Sequence, residues 1–241
     1  MRIKLSDHFG YKKLLLFTLP SVSMVVFTSV YSIVDGFFVS NFVGKTEFAA
    51  VNFVMPIIMI IGAIGSMFGS GGTALIAKTL GEKDSKKANR YFSMVVYLTI
   101  IVGIIFAVLG QILLTPLLQL LGAEGEMLKY CIRYGRIIIA LIPAFMLQYE
   151  FQTFFVLAEK SNLGLIITIC AGLSNIILDA LLVGVLDLKL EGAAIATVTG
   201  MIIGGFIPLI YFAGNNGSLL KLGKTKFMRK PLLLTALNGS S

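Results

Sequence analysis

Asn175 and Asp179 stand four residues apart inside Leu163–Leu186, a run that is otherwise apolar and long enough to cross a bilayer. That spacing puts the amide and the carboxylate on one helix face, one turn apart. A carboxylate in hydrocarbon costs about 2.5–3.5 kcal/mol on insertion scales, so an aspartate there marks an ion path, a proton relay or a specific partner. Asp35 interrupts a second apolar run and Thr197 lies in a third. Counting from the turns compares their depths. Asp179 precedes Leu188 by nine residues and Thr197 follows it by nine, which places both about 13 Å from that turn at helical rise. Asp35 precedes Gly44, the centre of another connection on the same side, by nine residues. The three therefore share the outer half of the membrane, with Asn175 one turn deeper.

Asp35, Asn175, Asp179 and Thr197 offer oxygen donors, the ligands a hard cation takes. Two carboxylates at one depth in a low-dielectric place also resist being ionised together, which suits them to hold a proton. The expectation is a site for Na+ or H+. The competing reading makes each aspartate a satisfied interhelical hydrogen bond that fixes packing.

Composition sets the frame. The chain has 241 residues, 57% hydrophobic and 13% charged, with a mean hydropathy of +0.92. An all-α integral membrane protein is expected, because no soluble core needs so much apolar surface. Two cysteines, Cys131 and Cys170, give no disulfide framework, and the single histidine, His8, lies outside every apolar run. With no nucleophile–base pairing and no metal-ligand spacing, neither an enzyme nor a cofactor is expected, and the only metal is Na+ at the cation site.

Six spans can be read: Leu14 to about Phe42, with a kink expected at Pro20; Glu47–Ala77; Tyr91–Leu114; Tyr130–Leu157; Leu163–Leu186; and Gly192–Ala213. Polar loops are expected over Lys78–Arg90 and Thr115–Met127. The small residues from Gly65 to Thr73 suit a close helix crossing or, less simply, substrate contact. Fifteen of the twenty Lys and Arg residues fall in the terminal segments and the two connections on their side, against five opposite. By the positive-inside rule the N-terminus is cytoplasmic. The formal net charge of +8 is then topology with some attraction to membrane lipid, and no nucleic acid partner is implied. The domain reading is a cytoplasmic segment at 1–13, a six-helix membrane lobe at 14–213, a basic cytoplasmic linker at 214–230 and the truncated start of a seventh helix at 231–241. Lys230-Pro-Leu-Leu-Leu-Thr echoes Lys13-Leu-Leu-Leu-Phe-Thr at the entry of the first span, as a second copy of the unit would.

Val34-Asp35-Gly36 with Gly44, Gly71-Gly72-Thr73-Ala74 with Gly81, Asn175-x3-Asp179 and Gly192-Ala-Ala-Ile-Ala-Thr197 run through the chain in order. With these motifs the sequence resembles the multidrug and toxic compound extrusion (MATE) family, in its bacterial branch of DinF-like and MepA-like exporters. The resemblance implies half of a twelve-helix, two-lobe transporter: the N-terminal lobe, its partner being the missing C-terminal lobe or a second copy. It implies export of cationic amphipathic drugs by alternating access in exchange for Na+ or H+, at the cell membrane. It places the cation site at Asp35, Asn175, Asp179 and Thr197 and assigns Pro20 to a bending helix. Gln148, Glu150 and Gln152 are expected on the substrate cavity, Glu150 adding negative charge there or else pairing with Lys160 at the interface. The alternative function is a flippase for lipid or lipid-linked oligosaccharide, which calls for cationic cavity residues.

Overall fold

Lipid offers no hydrogen-bond partner to the backbone, so apolar runs of this length must satisfy their amides within themselves. The computed structural model, which describes residues 10–215 and 217–240, meets that demand with helices. α1 (Tyr11–Phe38) runs on into a π-helical turn (Val39–Val43). It is followed by α2 (Lys45–Gly81), α3 (Ser85–Leu120), α4 (Gly125–Ala140) and α5 (Ile142–Leu157). α6 (Ser161–Leu178) continues as a second π-helical segment (Asp179–Val185), and α7 (Lys189–Ala213) and α8 (Arg229–Gly239) complete the order. Among the described residues five helical stretches are long and apolar enough to span a membrane, and α4 with α5, bent by 56°, makes a sixth if the pair is one span. The protein is multi-pass. His8 and most of the expected N-terminal segment lie outside the described residues.

Three boundaries differ from the sequence reading. Lys78–Arg90 is helical except for a tight turn, because Lys83 adopts φ +62° and the Asp84 side chain caps α3 by accepting from the Lys87 N–H at 3.0 Å. α3 also passes through Pro116 to Leu120, its last turns anchored by the buried Leu114 and Leu118. The fourth span is two helices broken at Leu141. Pro143 in the first turn of α5 lacks an N–H and its ring opposes the Ile139 carbonyl, while its Cα lies against Gly103 of α3, where a side chain would come within 2.8 Å. α1, in contrast, is a single helix through Pro20.

α2 is central, packed on α3, α4, α5 and α8, whereas α1 sits at the edge and is held chiefly by α6. The glycines of α2 serve crossings: Gly65 and Gly69 meet the α5 backbone at Met146 and Glu150, and Gly71 meets the Thr235 carbonyl of α8. Small residues allow this approach because packing in lipid depends on contact. At one end α3, α5 and α7 join through rings, Phe212 lying 5.2 Å from Phe92 and 5.6 Å from Phe151. Most apolar side chains of α1 face outward, Ile33 being 73% exposed, as befits a helix in lipid, while Met24 and Phe27 turn inward.

Candidate functional site

Asp35 lies in the last turn of α1, where the Val39 N–H reaches both the Asp35 and Gly36 carbonyls as the helix widens. Asp179 is the first residue of the second π segment and Asn175 lies one turn earlier on α6. π turns inside long helices are uncommon and concentrate at functional sites. The two meet here. The Asp35 carboxyl faces those of Asp179 and the Asn175 amide. Asp179 is wholly buried and Asn175 2% exposed. Among the described residues, Asp35 Oδ1, Asn175 Oδ1 and both Asp179 oxygens have no hydrogen-bond partner. Buried acceptors are rarely left so, since each costs about 1–3 kcal/mol.

Thr197 of α7 joins the same wall, its hydroxyl donating to the Ala193 carbonyl at 3.0 Å. Tyr134 of α4, 1% exposed, adjoins Thr197 and both aspartates. Asp35, Asn175, Thr197 and Tyr134 border a cavity of about 90 Å³ whose walls come from α1, α2, α4, α5, α6 and α7, with Asp179 buried behind Asp35 and off its lining. The cavity lining mixes polar groups, Tyr31, Asp35, Tyr134, Gln148 and Asn175 among them, with apolar and adaptable ones such as Met55, Ile58, Met59, Phe145 and Met201. Among the described residues no Lys or Arg lines it. Among the described residues no three His, Cys, Asp or Glu side chains gather, so the donor set is two carboxylates, an amide and hydroxyls. Such a set fits a proton or a hard monovalent cation.

The four residues expected to form a cation site are thus together. The expected substrate residues separate. Gln148 lines the cavity and also bounds a smaller one, about 10 Å³, that includes Gln152 and Thr168. Glu150 is on neither wall, because residues two apart on a helix do not face the same way. Its carboxyl is wholly buried toward Thr99 of α3, and neither its oxygens nor the Thr99 hydroxyl has a partner among the described residues. It does not pair with Lys160. Pro20 lies four turns from Asp35 on α1, away from the cavity. Sequence reasoning passed over Tyr31, Tyr134 and Tyr149. Tyr31, one turn before Asp35, could have been found by the spacing that paired Asn175 with Asp179. Tyr134 was hidden between Arg133 and Arg136, and Arg133 points outward to Glu191 at 2.9 Å.

The MatE family model matches residues 20–181, a span that includes both aspartates. Multidrug export protein MepA of Staphylococcus haemolyticus is 29% identical over 209 residues, 87% of this chain and 46% of that protein. MepA of Staphylococcus aureus is 25% identical over 206 residues, covering 86% and 46%. The chain therefore spans about half the length of these relatives. Among solved structures, an outward-facing multidrug resistance MATE family transporter superposes with a TM-score of 0.87 at 22% identity, over 95% of this chain and 52% of that one. A transporter of the MOP superfamily from Pyrococcus furiosus, described as having a binding pocket of reverse polarity, gives 0.87 at 22% identity over 95% and 51%. Helices, spans and family model agree: this chain belongs to the MatE family of multidrug and toxic compound extrusion transporters.

Proposed function

We propose that the chain is the N-terminal lobe of an antiporter that exports cationic, amphipathic drugs by alternating access, with Na+ or H+ entering at Asp35, Asn175, Asp179 and Thr197. The observation that carries this reading is the set of buried oxygens without partners that Asp35, Asn175 and Asp179 turn toward one another. Their helices differ in how firmly they are held. Asp179, on the π segment that continues α6, and Thr197, on α7, belong to elements that pack on each other, while Asp35 rides on the peripheral α1. Loading the site with a cation or proton removes repulsion between the carboxylates and favours the arrangement in which α1 closes on α6. Such loading drives transport only through a difference in affinity between the two facing states. Drug would occupy the adjoining cavity, its apolar body against the methionines and its positive charge toward the acidic wall. In this reading the C-terminal lobe, or a second copy, supplies the facing wall, and the basic bias of the connections supports a cytoplasmic N-terminus in a cell-membrane protein.

A flippase for lipid or lipid-linked oligosaccharide is the second reading. It is disfavoured because no basic residue lines the cavity among the described residues and Arg133 is engaged with Glu191 at the surface. The test is transport by the complete two-lobe protein in vesicles under separate Na+ and pH gradients. Asp179→Asn is expected to bind drug and to lose ion-driven exchange. Efflux at the parent rate in that variant would remove the site from the mechanism.

A further inference from the structure

The segment between α7 and α8 is tied along the first turns of α3. The Lys221 N–H donates to Asn89 Oδ1 at 2.7 Å, the Gly223 N–H to Ser93 Oγ at 3.0 Å, and Thr225 Oγ1 to the Arg90 carbonyl at 2.9 Å. Leu220 is wholly buried, and the Leu222 N–H reaches the Phe212 carbonyl at 2.8 Å. Between this strap and α3 opens a cleft of about 800 Å³, bounded by Arg90, Tyr97, Lys224, Thr225, Lys226 and Met228. Three of these are cationic and none is acidic. Among the described residues Arg90, Lys224 and Lys226 form no ion pair.

The cleft is graded with depth. Arg90 stands near the polar end of α3, and Tyr97 is two turns further along the same face, about 10 Å toward the membrane interior. Tyrosine favours that boundary, with its ring toward acyl chains and its hydroxyl toward headgroups. Met228 lines the cleft, and the exposed Phe227 follows the strap beside it. A guanidinium with two ammonium groups above an aromatic and apolar floor matches a molecule with a phosphate at one end and hydrocarbon at the other. A free phosphate would use only the mouth. We propose that this cleft binds one anionic phospholipid, its phosphate among Arg90, Lys224 and Lys226 and an acyl chain along Tyr97 and Met228. The bound lipid would tie the strap to α3 and so steady the approach of α8 to α2. The inference rests on the membrane placement of the spans alone, and is independent of ion coupling and of what is transported.

The experiment is a lipid titration of the purified chain in neutral micelles, read by native mass spectrometry, with phosphatidylglycerol, phosphatidylcholine and inorganic phosphate as probes. Phosphatidylglycerol is expected to bind at least tenfold tighter than phosphatidylcholine, and millimolar phosphate to leave it bound. Each basic residue near a membrane surface contributes about a fivefold factor, so Arg90→Gln/Lys224→Gln/Lys226→Gln should weaken phosphatidylglycerol about a hundredfold. Lys83→Gln/Lys86→Gln/Lys87→Gln removes the same charge from the same end of α3 outside the cleft, and should weaken binding much less than the cleft variant does, because solvent-exposed charges away from the bound phosphate are screened. Equal loss in the two triple variants would reduce the effect to diffuse surface attraction. Displacement by phosphate, or equal binding of the two lipids, would also overturn the proposal. Should the cleft triple variant not fold, Lys224→Gln alone is expected to weaken binding about fivefold, and unchanged binding there would overturn it as well.

Discussion

A single methyl group tests whether α1 is seated on α6 as described. At Gly172 a Cβ would lie 2.6 Å from Phe27 Cε1 and 2.9 Å from Tyr31 Cδ1, where ordinary carbon contacts are about 3.5–4.0 Å. Both rings would have to move by about 1 Å, and overpacking of this kind costs about 1–3 kcal/mol. Against that stands the helix preference of alanine over glycine, about 0.8–1.0 kcal/mol. The net for Gly172→Ala runs from near zero to a loss of about 2 kcal/mol. Gly36→Ala makes the same chemical change on α1, but nothing lies within 4 Å of its Cβ, so only the helix gain applies. The difference between the variants should therefore be about 1–3 kcal/mol, with Gly172→Ala the less stable. Unfolding each in mixed micelles against rising denaturing detergent, followed by helical circular dichroism, measures it. The consequence reaches the site, because Tyr31 adjoins Asp35 and Gln148. Gly172→Ala as stable as Gly36→Ala would mean that α1 is not packed on α6 in this way, and the approach of Asp35 to Asp179 would lose its support.

Two further outcomes test the local structure. Asp84→Ala should cost about 1 kcal/mol by removing the cap on α3, and Asp84→Asn only a few tenths, as compared by thermal melting in micelles. Cys131 is wholly buried where α4 packs on α2, so a small membrane-permeant maleimide should reach it only after denaturation; early labelling of Cys131 would contradict the packing of α4 on α2.

Number and order of the spans were legible because lipid imposes one rule on every residue of a crossing: be apolar and helical. Where that rule weakens, reading failed. Lys78–Arg90 has the composition of a loop, yet helices outrun the membrane there, and only the geometry at Lys83 and Asp84 shows how short the turn is. At Pro143 the composition stays apolar on both sides, so hydropathy cannot see the break. Pro116 and Pro143 carry the same chemistry with opposite results. Pro116 sits in α3 beside buried leucines that hold its last turns in line, whereas Pro143 opens a new helix against Gly103. Which outcome follows depends on neighbours from other helices, which local sequence does not name.

The site divides along the same line, between position along a helix and direction around it. Depth follows from a rise of about 1.5 Å per residue, and counting from Leu188 and Gly44 brought Asp35, Asp179 and Thr197 to one level. Direction depends on the residues per turn, and that number changes where it matters: α1 becomes π-helical one turn after Asp35, and α6 does so at Asp179. A π turn holds an extra residue, so the chain beyond it is rotated from its α-helical course while its depth alters little. Counting therefore found the carboxylates, but could not show that Asp179 opens a widened turn and Asp35 stands one turn before another. Gln148 and Glu150 give the converse case, in which depth is nearly shared and direction decides: one lines the cavity, and the other is buried against Thr99. The π segments also lie against each other and against α7, so a change in either one's winding would alter the distance between Asp35 and Asp179 before either helix moved as a body.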